Sequence, residues 1–421
     1  MHEPTEAAVL AAPAAPFVAV KYRYRWVVLF AFMLIMGVQQ LLWITFAPIT
    51  TTAMQFYHQS EMSIGLLSLV FMVVYLVVSF PASWVIDTLG FRVAVGIGAA
   101  LTGVFGMLRG VLGSDFGWVM ACQIGIAVGQ PFIINAVAKV AVRWFPLKER
   151  ATASGLAWLM GYLGLVAGLV LTPVLAGSQD AIPRTLVYYG LASLVAAAFF
   201  LLVSRENPPT PQGTPEEEVR ALVFDGLKQM LRSRDFLLFN AIFFIGLGVF
   251  NGVSTWIELI LKPRGITSAQ AGLIGGAMVA CGVLGSAVIP MLSDRFRNRT
   301  KFILVALIGC IPGLLGLTFL SSFPLLLVSA GVLGFFMLST APIGFQYCAE
   351  VGHPAPEATS TGVLMSMGQF SGILFIFGMD LLKGPDGSMT LPLVALAGLM
   401  VVAVVISVFL KESKMLLASK K

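Results

Sequence analysis

Twelve long apolar runs constrain what this chain can fold into more than any other feature of its sequence. Their approximate limits are 26–50, 63–86, 93–113, 117–142, 151–176 and 186–204 in the first half, and 236–261, 269–293, 302–321, 323–349, 358–381 and 389–410 in the second. Each is close to the roughly 20 residues that a helix needs to cross the hydrocarbon core of a bilayer. Because 11% of the residues are charged and 58% are hydrophobic, the chain cannot cover a water-facing surface. The runs therefore predict an all-α membrane protein with twelve transmembrane helices.

The sequence also repeats itself at a spacing of 207 residues. The stretch from Asp87 to Arg92 recurs, in weaker form, as Asp294 to Arg299. The same offset relates the segment Ala151-Thr-Ala-Ser-Gly155 to Ala358-Thr-Ser-Thr-Gly362. The two acids, the two arginines and the two segments are three matches at one spacing, and they indicate two related halves, an organisation found in many secondary transporters.

These features predict five regions. They are a disordered tail (1–25), a six-helix bundle (26–204), a linker with a short amphipathic helix (205–235), a second six-helix bundle (236–410) and a short tail (411–421). The Pro-rich start of the linker and its acidic run are typical of a tether between domains. The first seventeen residues lack a basic start followed by an apolar run and do not resemble a signal peptide.

Basic residues are concentrated on one side of the predicted membrane. If the N-terminus is cytoplasmic, 20 of the 26 Lys and Arg residues fall on the cytoplasmic side. This is the positive-inside distribution of a membrane protein, so the net charge of +6 does not indicate a nucleic-acid partner. We expect an integral protein of a plasma or inner membrane, with both termini cytoplasmic, and a monomer.

Several spans carry polar or aromatic side chains at depths where lipid would not favour them. Trp43 lies past the middle of the first span, and Gln130, Asn251 and Gln369 lie within the fourth, seventh and eleventh. Side chains at such depths usually face a cavity or another helix. We interpret Trp43 as a stacking wall and the three amides as hydrogen-bonding groups of a binding site, although bonds between helices remain an alternative for glutamine.

Other residues have secondary roles in this interpretation. Tyr162, Trp256 and Tyr347 are expected to line the same cavity. Glu258 lies nearer the outer end of its span, and we interpret it as a solvated residue of the mouth, with a proton- or cation-coupling site as the alternative. Glycines 246, 248 and 252 predict a break or bend in the seventh span near the middle of the membrane.

The loop after the second span combines an acid, a glycine and a base. Gly90 permits a tight turn, while Asp87 can meet Arg92 or the bases of a neighbouring loop. Such a contact can form in one conformation and break in another.

The sequence lacks the motifs that are typical of other classes of function. The chain has no nucleotide-binding loop of the form Gly-x-x-x-x-Gly-Lys-[Ser/Thr], no Ser/His/Asp arrangement and no paired carboxylates in the middle of the membrane. The four cysteines show no paired spacing and predict neither a disulfide framework nor a metal site. We expect no enzymatic activity, cofactor or metal.

At these residues the chain resembles the major facilitator superfamily, and within it the haem/choline transporters related to the feline leukaemia virus subgroup C receptor. The resemblance rests on the stretches 80–92, 144–149, 253–255, 331–337 and 372–375. It implies two six-helix bundles, a pocket that includes Trp43, Gln130 and Gln369, and an aromatic residue where this chain has Asn251. It also implies that Asp87, Arg92, Arg143, Asp294 and Arg299 hold the cytoplasmic side shut in an outward-facing state.

The predicted function is alternating-access transport of a small neutral or singly charged organic solute, choline-like in character, at a midplane site between the halves. The absence of a mid-membrane arginine cluster does not favour a polyanion. One alternative is a proton-driven multidrug or organic-anion carrier on the same fold. An alternative of another class is a membrane receptor that binds its ligand without transport.

Overall fold

The computed structural model describes residues 22–210, 232–352 and 357–412. The predicted disordered tail up to residue 21, most of the linker with its amphipathic helix (211–231) and the C-terminal tail from residue 413 lie outside the described residues.

Within the described residues, twelve apolar helices or helical pairs are long enough to cross a membrane. They are α1 (Arg25–Ile44, continued by Thr50–Tyr57), α2 (Glu61–Leu89), α3 (Phe91–Val111), α4 (Phe116–Ile134, continued by Val137–Trp144), α5 (Leu147–Leu175), α6 (Ala181–Val203), α7 (Arg234–Thr255), α8 (Ser268–Phe296), α9 (Arg299–Phe319), α10 (Phe323–Gly352), α11 (Glu357–Leu381) and α12 (Thr390–Val408). No strand occurs in the described ranges. The predicted fold class is therefore confirmed.

Two helices are interrupted within the length of their spans. Helix α1 stops at Ile44, passes through a 3-10 turn that contains Pro48 and resumes at Thr50. Helix α4 stops at Ile134 and resumes at Val137. Proline has no N–H to continue the hydrogen-bond ladder, which accounts for the turn in α1.

The interruption predicted for the seventh span lies elsewhere. Helix α7 runs without a break through Gly246 and Gly252 and ends at Thr255, and a short helix, Ile257–Leu261, follows Trp256. The break that the glycines would permit is therefore absent from this helix. Regular helix satisfies every backbone group in lipid, so glycine alone does not interrupt it there.

Helices α1–α6 pack into one bundle and α7–α12 into a second. The bundles meet mainly through two helix pairs, α2 with α11 and α5 with α8. The 207-residue repeat exchanges these two pairs, so the interface follows the same pseudo-twofold symmetry as the sequence. Since the number of spans is even, α1 begins and α12 ends on the same side of the bundles. We call this the inner end and the opposite side the outer end.

The repeat extends to individual contacts at the outer end. The hydroxyl of Tyr57 donates to the carbonyl oxygen of Gly113 at 2.7 Å, and Arg264 Nη1 donates to that of Leu320 at 3.1 Å. Both donors and both acceptors are 207 residues apart. Each side chain thus binds a carbonyl just beyond the end of the third helix of its own bundle, where the helix has no internal donor.

At the inner end of each bundle, a glutamate caps the N-terminus of the third helix. Glu206, just after α6, accepts hydrogen bonds from the backbone N–H groups of Phe91 and Arg92 at the start of α3. Glu412, just after α12, accepts from the N–H of Thr300 at the start of α9. A carboxylate at a helix N-terminus supplies acceptors for unpaired N–H groups and is favoured by the helix dipole.

Candidate functional site

The outer end of the interface is held by a buried carboxylate. Glu258 Oε2 accepts a hydrogen bond from the backbone N–H of Thr51 at 2.8 Å, and Oε1 accepts one from the Ser268 hydroxyl at 2.7 Å. Glu258 is only 3% exposed. In this structure Glu258 is therefore part of a closed contact between the two bundles, not the solvated mouth residue expected from the sequence.

Two further contacts close the same end. Lys383, in the loop between α11 and α12, forms an ion pair with Glu61 at the start of α2. Trp256 is fully buried, donates its indole N–H to the carbonyl oxygen of Ile376 at 3.2 Å, and packs against Gly65 of α2. We call Thr51, Glu258, Glu61, Lys383 and Trp256 the outer seal. Trp256, expected to line the cavity, lies in this seal.

Trp43 is fixed between α1 and α2 just below the interruption of α1. It is 7% exposed, and its indole N–H donates to the carbonyl oxygen of Ser68 at 3.1 Å. Residues 69, 71 and 72 of α2 belong to the same buried cluster, which also includes residues of α7 and α8. The ring thus lies within the part of the core that both bundles share.

Asn251 lies where α2, α7 and α11 come together. A Cβ added at Gly372 of α11 would be 2.6 Å from Met72 Sδ and 2.7 Å from Asn251 Nδ2, so both side chains press on this glycine. Gln369 lies one helical turn inward from Gly372 on the same helix. The contact between the bundles therefore brings Asn251 close to the turn that carries Gln369.

Gln130 lies on α4, in the turn next to Ile126 and Ala127, which belong to the buried cluster that both bundles share. Helix α4 is placed against α1 by Gln39, whose amide donates to the carbonyl oxygen of Ile126 at 3.1 Å. Trp43 is one turn outward from Gln39, and Gln130 is one turn inward from Ile126. At about 1.5 Å per residue, these turns separate Trp43 and Gln130 by roughly 12 Å along the helix axes. Trp43 thus lies on the outer side of Gln130.

The amides of Gln130 and Asn251 share an unusual property. The two residues are only 5% and 4% exposed, neither amide has a hydrogen-bond partner among the described residues, and the amide atoms are not among the fully enclosed unpaired ones, so the accessible part of each residue includes its amide. Buried amides are nearly always paired, because an unpaired one costs the free energy of its desolvation. Such groups are suited to bind water or a polar solute.

The remaining predicted lining residues lie at different depths. Tyr162 is half-buried on α5, beside Gly161, which faces Gln40 of α1. Tyr347 is fully buried near the inner end, where its hydroxyl donates to the carbonyl oxygen of Lys411 at 2.8 Å. The structure therefore does not bring Tyr347 together with Trp43, because its hydroxyl is committed to the end of the second bundle.

The predicted gating residues of the first half lie at its inner end. Asp87 is exposed and pairs with Lys139 of α4 at 3.6 Å. The Arg92 side chain is exposed as well and forms no ion pair with Asp87 in this part of the structure, and Arg143 lies in the second segment of α4. The sequence did not identify Lys139 as the partner, since 52 residues separate it from Asp87.

The equivalent residues of the second half form a tighter cluster. Arg299 Nη1 is 2.6 Å from Asp294 Oδ1, and its Nη2 is 3.0 Å from Glu350 Oε1. At the outer end, the Thr51–Glu258 hydrogen bond and the Glu61–Lys383 ion pair join the two bundles. The structure is therefore closed on the outer side.

A groove of about 600 Å³ lies elsewhere, on the outside of the first bundle. Apolar side chains at helical spacing line it, including Phe30 and Leu34 of α1 and Leu191 and Val195 of α6. None of the predicted site residues contributes to this surface.

Comparison with known proteins agrees with the fold. The family model described as Major Facilitator Superfamily matches residues 28–376. Solute carrier family 49 member A3 of Danio rerio is 30% identical over 88% of this chain and 81% of its own length. The choline/ethanolamine transporter FLVCR1 of Felis catus is 31% identical over 86% of this chain and 68% of its own length.

Solved structures show the same fold. A bacterial homologue of the human lysosomal transporter Spinster, in an inward-facing and unoccupied conformation, superposes with a TM-score of 0.70 at 18% identity, over 95% of this chain and 98% of the other. The transporter FucP, in an outward conformation, superposes with a TM-score of 0.61 at 16% identity, over 91% and 99% of the two chains. On the family match, the relatives and the fold together, this chain belongs to the major facilitator superfamily.

Proposed function

We propose that this protein is an alternating-access secondary transporter of a small neutral or singly charged organic solute, choline- or ethanolamine-like in size. The names of its FLVCR relatives support this substrate class. We place the solute between the two bundles, with Trp43 as the wall on its outer side and Gln130, Asn251 and Gln369 as hydrogen-bonding groups. Tyr162 is a secondary lining residue.

The observation that carries the proposal is the pair of buried, unpartnered amides on opposite bundles. Gln130 belongs to α4 and Asn251 to α7, and both residues are largely buried while their unpaired amide groups keep some accessible surface. A solute that bonded both amides would offset their desolvation and would contact both halves at once. A ligand with contacts to both bundles can favour one relative arrangement over another, as transport requires.

The side chains of the proposed pocket favour a solute with hydrogen-bond donors and at most one charge. A quaternary ammonium group is bound best by several aromatic faces, and Asn251 supplies an amide in place of a second ring. We therefore expect solutes with N–H or O–H donors to compete well with fully methylated ones. In the described part of the proposed pocket, Trp43, Gln130, Asn251 and Gln369 carry no charge, which suits a neutral or singly charged solute.

The orientation of the protein is part of the proposal. We propose that the inner end faces the cytoplasm in a plasma or inner membrane and that both termini are cytoplasmic, as the distribution of basic residues supports. Asp87, Arg92, Arg143, Asp294 and Arg299 would then lie at the cytoplasmic end, where we assign them to closing the pathway when the outer seal opens. We propose that the monomer is the functional unit and that no catalytic step accompanies transport.

Uptake into proteoliposomes tests the site. A thermal-shift screen of choline, ethanolamine and other small solutes on the purified protein identifies a substrate, whose uptake is then measured with and without a pH gradient. We expect Trp43→Ala and Gln130→Ala to reduce uptake at least tenfold while the proteins remain folded. Trp118→Ala and Gln179→Ala, at exposed positions, are the matched controls.

Equal uptake by the Trp43 and Gln130 variants and the controls would rule out this site. Uptake that requires a pH gradient would favour the proton-driven carrier. A receptor would bind the solute but leave the vesicles unfilled.

A further inference from the structure

Arg109 is a fully buried arginine inside the first bundle that has no acidic partner. It lies near the outer end of α3, its exposed fraction is 0%, and no described carboxylate is within ion-pair distance. A buried charge is costly unless other groups compensate for it. Its hydrogen-bond partners therefore indicate what the side chain does.

The partners of Arg109 lie at the interruption of α1. Nη1 donates to the carbonyl oxygen of Leu42 at 3.1 Å, and the guanidinium carbon lies 5.7 Å from the centre of the Phe46 ring. Leu42 is among the last four residues before α1 stops at Ile44, where carbonyl groups lack donors in their own helix. The negative end of this helix segment stabilises the cation, so no carboxylate is needed.

Gln123 of α4 extends the contact from α1 to α2. Its Oε1 accepts a hydrogen bond from Arg109 Nη1 at 2.6 Å, and its Nε2 donates to the carbonyl oxygens of Leu67 at 3.0 Å and Leu42 at 3.5 Å. Gln123 is also fully buried. The two side chains therefore hold one carbonyl of α1 and one of α2 at a fixed distance.

The two carbonyls flank the attachment of Trp43. Leu42 precedes Trp43 in α1, and Leu67 precedes Ser68, whose carbonyl oxygen accepts the indole N–H. Any shift of α1 against α2 at this level would stretch or break the Trp43–Ser68 hydrogen bond. The Arg109–Gln123 pair opposes such a shift from inside the first bundle, because it links α1 to α2 there.

We propose that Arg109 and Gln123 are positioning residues that set the orientation of the Trp43 indole, and through it the shape of the solute site. This inference rests on the proposed function for its role in transport, but the positioning itself is a property of the first bundle alone. The repeat position of Arg109 in the second half is Gly316, so the second half lacks an equivalent side chain.

Fluorine NMR of the full chain labelled with 5-fluorotryptophan tests the positioning directly. The chain has seven tryptophans, and Trp43→Phe identifies the resonance of Trp43. We expect Arg109→Gln to shift or broaden this resonance and to leave those of the distant tryptophans unchanged. Arg264→Gln is the matched control, since Arg264 also caps carbonyl groups, those of Thr318 and Leu320, but in the second bundle.

A second variant keeps the test decisive if Arg109→Gln fails to fold. Gln123→Met keeps the length of the side chain but removes its link between Leu42 and Leu67, and it is expected to perturb the same single resonance. An unchanged Trp43 resonance in folded Arg109→Gln or Gln123→Met would overturn the proposal, as would equal changes in all tryptophans. Neither outcome depends on transport, so a failure of the solute site would be seen separately, in the uptake of Trp43→Ala.

Discussion

Thr51 and Glu258 occupy equivalent positions of the two halves, 207 residues apart, and they are hydrogen-bonded to each other at 2.8 Å. Two points related by a twofold axis can meet only close to that axis. The contact therefore marks the pseudo-symmetry axis at the outer end of the protein. A single carboxylate at this position bonds a residue of each bundle, which makes it a suitable place to control opening.

Removal of the Glu258 carboxylate is expected to weaken the outer seal. Glu258→Ala loses the hydrogen bond from Thr51 that joins the bundles, and such a bond to an ionised group is worth about 1.5–3 kcal/mol. Since about 1.4 kcal/mol is a tenfold change in an equilibrium constant, the sealed state should lose at least tenfold in population relative to an open one. Spin labels at Ser178 and Ser321, in outer loops of different bundles, should report a longer distance.

The control for this change is Asp180→Asn, an acidic residue exposed in an outer loop. Distances that match the wild type in Glu258→Ala would show that the seal is held by the other contacts.

The seal is also expected to depend on pH. Burial raises the pKa of Glu258, although hydrogen bonds from Ser268 and Thr51 and the charge of Lys262 act in the opposite direction. A carboxyl group whose pKa is raised in the sealed state binds a proton more tightly there than when water reaches it. The sealed state should therefore gain stability as the pH falls toward this pKa and lose it as the pH rises through it.

The same pair of spin labels, recorded over a pH series, measures this effect. The distance should lengthen as the pH rises, and Glu258→Gln should abolish the dependence. A pH response that persists in Glu258→Gln would assign the titration to another group.

Helices α5 and α8 approach so closely at Gly272 that this position should tolerate no side chain. A Cβ at this position would overlap the carbonyl oxygen of Leu169 and crowd Pro173. Gly272→Ala should force the helices apart at the outer end, which disfavours the sealed state and slows transport. Gly246→Ala of α7 is the control, because nothing lies within 4 Å of its added Cβ. Comparable uptake by both variants would contradict this reading of the interface.

The two inner-end clusters should differ in their contribution to stability. Arg299 and Glu350 have side chains 9% and 10% exposed, and loss of one member of such a pair costs about 3–5 kcal/mol. Asp87 is 64% exposed, so its pair with Lys139 is worth only about 0–1 kcal/mol. Arg299→Gln should therefore lower the Tm of the purified protein well below that of Lys139→Gln.

Arg299→Gln combined with Glu350→Gln should recover part of the loss, because no unpaired buried charge remains. Equal Tm values for the Arg299 and Lys139 single variants would show that the two clusters contribute alike.

Much of the architecture could be predicted from the sequence, because bilayer thickness fixes the length of a span and the repeat fixes the relation between the halves. Trp43, Gln130 and Asn251 stood out because polar and large aromatic side chains are rare at such depths. The partners of charged residues could not be predicted in the same way. Asp87 binds Lys139 and not Arg92 because of how α2 packs on α4, which no local pattern encodes.

The seal shows a second limit of sequence reasoning. Glu258 and Trp256 were recognised as unusual, but their roles depend on Thr51 and Gly65 of the other bundle. The signal that could have paired Glu258 with Thr51 was the 207-residue offset itself, read as a geometric constraint.

The glutamate at the end of each bundle has a consequence for how the halves can move. Glu206 fastens the chain to α3 before it leaves the first bundle, and Glu412 fastens the chain to α9 after the second. When the bundles rock, the chain after α6 and after α12 is already held by these hydrogen bonds. The same bonds keep the last helix of each bundle from fraying. Each half can therefore tilt as one body, because the contact between its third helix and the end of its last helix moves with it.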